Sequence, residues 1–158
     1  MNDYTSKNQE MLTYQTSRFQ SLIKEIQQCC DDRKLYECSR FGLPYAELKC
    51  LLLFDGERYL TVKNIAERLD VAKSRVTKLI NDLEVKKLVE KINDPKDSRV
   101  KLISITPLGR KISSEVNSFQ KEIHMNILSQ MNEEERKDVI SKLELLRASM
   151  EAVKAQMV

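Results

Sequence analysis

Hydrophobic positions recur at intervals of three and four over most of this chain. From Met11 to Cys30, the residues Leu12, Phe19, Leu22, Ile23, Ile26 and Cys29 or Cys30 keep helical spacing and predict one long amphipathic helix. A second helix is predicted after Leu43, carrying Leu48, Leu51 and Leu52 inward and stopping near Asp55-Gly56. Pro44 falls in its first turn, where a missing N–H costs nothing. Thr61 can cap a short third helix in which Val62, Ile65, Ala66 and Leu69 follow i, i+3, i+4, i+7. Leu69-Asp70-Val71 reads as a turn. A fourth helix from about Ala72 places Val76, Leu79, Ile80, Leu83 and Leu88 on one face and Lys73, Ser74, Arg75, Thr77, Lys78 and Asn81 on the other. Two short helices around a three-residue turn form a helix-turn-helix.

Beyond Leu88 the periodicity changes. Val89 to Ile92 and Val100 to Ile105 read as strands, separated by Asn93-Asp94-Pro95-Lys96-Asp97-Ser98, in which Asp-Pro favours a turn. A hairpin directly after such a helix is a wing, with Lys96 and Arg99 at its tip. The helical period then returns as a stripe of Leu108, Ile112, Val116, Phe119, Ile123 and Ile127. Asn132 and Glu135 are spaced as a capping box for a final helix. In that helix Val139, Leu143, Leu146, Met150, Val153 and Met157 form a heptad seam. Such a seam is economically buried against a second subunit, which predicts a homodimer built from the N- and C-terminal helices. The alternative is that it packs on the first helix of its own chain.

The expected fold class is therefore mostly α with a small β-hairpin wing: a winged helix-turn-helix flanked by N- and C-terminal dimerisation helices. One domain suffices for 158 residues. Within it, residues 9–42 hold the N-terminal helix and its connection, 43–106 the winged lobe, and 107–158 the C-terminal dimerisation helices. Three Gly and three Pro are too few to punctuate many strands. No apolar run approaches a membrane span, and the N-terminus lacks the apolar stretch of a secretion signal, so the expected compartment is the cytoplasm.

Charge adds where the module sits. From Tyr59 to Arg110 there are twelve Lys and Arg against seven Asp and Glu, or +5, while the remainder carries fifteen against seventeen, or −2. A basic module on a neutral scaffold suits a nucleic-acid partner, although solvated helix faces are also rich in Lys. Base reading needs an element that fits the major groove with donors at its leading end. Lys73, Ser74, Arg75, Thr77 and Lys78 supply these, and Arg75 is the residue expected to take a guanine bidentately. Arg99 at the wing is placed to enter a minor groove, with Asp97 to hold it. Lys63, Lys96 and Lys101 would contact phosphates. The competing readings are an ordinary solvated helix face and a hairpin ion pair of little worth.

These residues carry a family resemblance. Val71-Ala72-Lys73-Ser74-Arg75-Val76-Thr77-Lys78-Leu79-Ile80-Asn81-Asp82-Leu83-Glu84, then Leu88-Val89, resembles the recognition helix of the MarR (multiple antibiotic resistance) regulators. Asp94-Pro95-Lys96-Asp97-Ser98-Arg99, continuing through Ile103-Ser104-Ile105-Thr106-Pro107-Leu108-Gly109, is similar to that family's wing signature, D-x-R with an L-T-x-x-G-like ending. The resemblance implies a triangular homodimer with two winged modules, usually a repressor, released by a small ligand or by oxidation. By position it puts Arg75 and its neighbours on groove-reading positions and Asp97 and Arg99 on the wing pair. Three residues depart from the pattern. Lys87 stands where a helix-ending Gly is usual and would be strained in a left-handed conformation; Ser98 replaces a frequent Arg; Ala72 replaces a common capping Ser.

For the switch, the sequence leaves several readings open. An aromatic ligand could lodge near Tyr36, Arg40, Phe41 and Tyr45, in the connection, with Arg40 for a carboxylate; interface packing is the equal alternative for these residues. Cys29, Cys30, Cys38 and Cys50 are expected to be reduced thiols. Since some MarR relatives sense peroxide through an N-terminal cysteine, Cys29, Cys30 and Cys38 are redox candidates, while Cys50 among leucines reads as core. No cofactor is expected, and a lone His124 gives little basis for a metal sensor beyond a thiolate-only cluster of Cys29, Cys30 and Cys38. No catalytic constellation is present. The remaining class is a helical protein-interaction module that does not read DNA sequence.

Overall fold

The computed structural model describes residues 2–97 and 99–157, with side chains from Lys7 onward; Ser98, one of the three departures, lies outside the described residues. The chain divides into two compact units, Met1–Ser114 and Glu115–Val158.

In the first unit, α1 runs over Asn2–Phe41. This is longer than the predicted helix, because Asp31 to Phe41 contains no Gly or Pro and continues with an Arg33 to Glu37 ion pair at i, i+4. The expected connection is thus helix, and Tyr36, Arg40 and Phe41 belong to its last two turns. Gly42 ends it at φ 64°, where Leu43 N–H reaches back to the Cys38 carbonyl. Pro44 is the N-cap of α2, Tyr45–Leu52. That helix ends before Asp55-Gly56, which form the turn that follows it.

A short strand β1, Leu60–Thr61, leads into α3, Val62–Leu69. Thr61 caps α3 as expected: its hydroxyl accepts from Asn64 N–H at 3.1 Å, and Asn64 answers with its side-chain oxygen. After a turn, α4 spans Lys73–Val85. Leu88 is not part of α4, contrary to expectation, because the helix closes in a Schellman motif. Lys87 sits at φ 60°, its N–H bonding Glu84 O, and Leu88 N–H bonds Leu83 O at 2.9 Å.

The wing strands are β2, Val89–Asn93, and β3, Lys101–Ile105, antiparallel with Val89 opposite Ile105 and Asn93 opposite Lys101. The sheet has a third strand that the sequence pattern did not reveal: β1 pairs with β3, giving the order β1-β3-β2. Two residues are too few for alternation to register; only pairing with β3 makes them a strand. Leu48, Leu51, Phe54, Ile65, Val76, Ile80, Leu83, Leu88, Val89 and Ile103 form the buried core beneath these elements.

Helix α5, Pro107–Ser129, begins in the first unit and continues into the second, where α6 covers Glu133–Ala155. The Asn132 capping box forms as read, with Glu135 N–H donating to Asn132 and Asn132 N–H to Glu135. The α5 stripe is only partly interior: Val116 is buried, whereas Leu108 and Ile127 are about half exposed. No residue of α6 is buried.

Candidate nucleic-acid interface

Helices α3 and α4 meet through Asp70, which takes a left-handed φ of 54° while Val71 N–H bonds the Ala66 carbonyl at 3.1 Å. An aspartate tolerates this region better than most residues. The turn therefore breaks α3 sharply and lets α4 start three residues later, with Ala72 as an N-cap that offers no side-chain bond. Burial of Val76, Leu79, Ile80 and Leu83 fixes the rotation of α4. The opposite face then presents Lys73, Ser74, Arg75, Thr77 and Lys78, all exposed.

Among the described residues, Lys73, Arg75 and Lys78 have no intramolecular ion pair, which leaves their charge for an external anion. Thr77 differs from its neighbours. Its hydroxyl donates to the Lys73 carbonyl at 3.0 Å, so it offers an outside partner a lone pair and a methyl group. Asn81, read from the sequence as part of the solvated face, accepts instead from Lys91 of β2.

The wing tip is built by two aspartates. Asp94 accepts from Lys96 N–H at 2.8 Å, closing an Asx turn, and its own N–H reaches Val100 O. Asp97 Oδ1 accepts from both the backbone N–H and Nε of Arg99, at 3.0 and 3.1 Å. Arg99 is thereby oriented while its side chain stays 90% exposed. An exposed pair of this kind adds little stability; its effect is to orient the guanidinium. Of the other expected phosphate contacts, Lys63 lies 3.9 Å from Glu67 on its own helix and Lys101 is bonded to Asn93 across the strands.

Below the wing, Thr106 ties three pieces together. Its hydroxyl donates to Lys87 O at 2.7 Å and accepts from Gly109 N–H at 3.0 Å, capping α5. A Cβ built on Gly109 would stand 2.0 Å from the Leu88 carbonyl oxygen, so only glycine fits there. The Thr-Pro-Leu-Gly segment is thus where the helix after the wing packs against the exit of α4.

The switch candidates are more scattered. Tyr36 and Arg40 are exposed on α1, Arg40 lies over the Phe41 ring at 5.7 Å, and Tyr45 opens α2 under Lys34 at 5.3 Å. Cys29 is exposed and Cys30 and Cys38 are half-buried, all on α1. Eight residues of helix separate Cys30 from Cys38 by roughly 12 Å, beyond the roughly 7 Å reach of a disulfide. Cys30 and Cys38 therefore cannot form a disulfide within one chain. No three His, Cys, Asp or Glu groups converge among the described residues. Cys50 is core as expected, its thiol pushed up to about 12 by burial and then by the nearby Glu47 charge.

Comparison with known proteins agrees with this geometry. The profile of the MarR family matches residues 41–100. The repressor MdtR of Bacillus subtilis is 34% identical over 130 residues, covering 82% of this chain and 81% of MdtR. The regulator SarZ of Staphylococcus aureus is 27% identical over 144 residues, covering 90% and 88%. The Staphylococcus aureus MepR–DNA complex superposes with a TM-score of 0.65 at 26% identity, covering 84% of this chain and 96% of that one. Among the described residues no helix is long and apolar enough to cross a membrane. With a three-stranded wing, a helix-turn-helix and these relatives in agreement, the chain belongs to the MarR family of winged helix-turn-helix, DNA-binding transcriptional regulators.

Proposed function

We propose that this protein is a homodimeric repressor that grips an inverted-repeat operator, with α4 in the major groove and the wing in the adjacent minor groove, and is released by a small, often aromatic ligand. The observation that carries this reading is the paired presentation of exposed cations: Lys73, Arg75 and Lys78 on α4, without an ion pair among the described residues, and Arg99 held out by Asp97. Arg75 reads bases, Ser74 and Thr77 add contacts to base or backbone, and Lys73, Lys78 and Lys96 hold phosphates. Residues 43–106 are the DNA lobe, and 9–42 with 107–158 form the dimer. The unburied α6 seam and the repressor name of MdtR support dimerisation and repression. Tyr36, Arg40, Phe41 and Tyr45 are the effector candidates, Arg40 being the group for a carboxylate.

Selection from a randomised duplex library with the reduced protein tests the reading. An inverted repeat with half-sites roughly 10 base pairs apart is expected. On that operator Arg75→Ala should cost about 1–3 kcal/mol and relax base preference at one position, while Lys78→Ala should lower the salt slope by about one without changing preference. If no sequence is enriched at low salt, DNA recognition by this surface is refuted.

A further inference from the structure

One ammonium joins the wing to the recognition helix. Lys91 stands on β2 opposite Ile103, and its Nζ donates to Asn81 Oδ1 at 2.6 Å and to Glu84 Oε2 at 2.7 Å. Asn81 and Glu84 are three residues apart on α4 and so share a face. The chain already leaves α4 through the left-handed turn at Lys87, which fixes the direction in which β2 departs. Lys91 adds a second, side-chain tie across that corner.

The tie withdraws a cation from solution. Unlike Lys73, Arg75 and Lys78, Lys91 has its charge neutralised within the chain by Glu84, with side-chain exposures of 33% and 41%. A lysine serving only as a phosphate contact would gain nothing from a carboxylate beside it. A fixed wing does gain: once α4 is seated, the Arg99 contact becomes intramolecular, and its effective concentration depends on how narrowly the wing is aimed.

We propose that Lys91 is a positioning residue for DNA recognition, bracing the wing against α4 through Asn81 and Glu84 so that Arg99 and Arg75 reach neighbouring grooves together. This rests on the DNA reading above. Its specific content is that Lys91 acts through the wing rather than on DNA.

Charge gives the test its sign. Glu84→Gln removes the negative charge that neutralises Lys91 and weakens the tie, so a plain electrostatic role predicts tighter binding, whereas bracing predicts weaker binding. With full-chain protein on its selected operator, Lys91→Met and Glu84→Gln should each weaken affinity about fivefold. Both should lose minor-groove protection from hydroxyl radicals at the wing while guanine N7 interference under α4 persists, and Lys91→Arg should restore the wing protection. In an Arg99→Ala, Lys96→Ala background, Lys91→Met should change neither affinity nor salt slope further. Tighter binding by Glu84→Gln, a further drop in salt slope in that background, or an unchanged footprint in Lys91→Met would each overturn the proposal. A wild-type chain that selects no operator refutes the DNA reading first, and bracing with it.

Discussion

Lys87 and Gly109 sit on either side of the same carbonyl corner with opposite demands. Lys87 holds φ 60° with a side chain that makes this region costly, whereas Gly109 has ordinary backbone but no room for a Cβ against Leu88 O. Lys87→Gly should therefore stabilise the fold by about 1 kcal/mol, and Gly109→Ala should destabilise it by about 3 kcal/mol, since the obstacle is backbone and cannot turn aside. Chemical denaturation of the two variants checks both signs. Cys50 gives a third residue-scale expectation. With its thiol pushed up to about 12 from an ordinary 9.0, burial favours the neutral form: the associated stability is intact below the ordinary value and is lost as pH rises through the folded one. At pH 8, alkylation followed by mass spectrometry should mark the exposed Cys29 and leave Cys50 unmodified until the protein unfolds.

Among the elements, α3 is the most dependent on its start. It has eight residues, too short to be stable alone, and its reciprocal box satisfies the backbone N–H groups of Thr61 and Asn64. Thr61→Ala should cost about 1 kcal/mol. Because α3 supports α4 from behind, the same change should also weaken operator binding, measured by fluorescence anisotropy at fixed salt. The wing shows a different economy: its loop is set by Asp94 and Asp97 accepting backbone N–H groups, so its geometry is local and owes little to burial.

At the scale of the whole molecule, α6 is the element that a single chain leaves unfinished. Leu143, Met150 and Val153 are each at least half exposed, and Val139 and Leu146 only half-buried, along one heptad face. If that face is the subunit contact, Leu143→Lys with Leu146→Lys should convert a dimer to a monomer in sedimentation equilibrium, while the secondary structure of residues 43–106 survives. Operator affinity should then fall steeply, because each lobe binds one half-site without its partner. A variant that remains dimeric would move the interface elsewhere.

The periodicity of apolar residues by itself determined the helix order, the helix-turn-helix and the Thr61 and Asn132 caps, because these depend on neighbours within four residues. The two-residue spacing at the wing tip likewise identified the Asp97 and Arg99 pair, which the hairpin brings together. Tertiary structure decided most of the rest. Strand β1 exists only through β3, with Leu60 pairing to Ile103 and Thr61 to Leu102 far along the chain. The extension of α1 has a local cause, the lack of Gly and Pro from Asp31 to Phe41, that the apolar period did not register; it turned an expected connection into helix, separated Cys38 from Cys29 and Cys30 and put Tyr36, Arg40 and Phe41 on a helix surface. Asn81 looked solvated by helical phase, yet the fold brought Lys91 to it, because which polar face meets a neighbour depends on packing that period cannot encode.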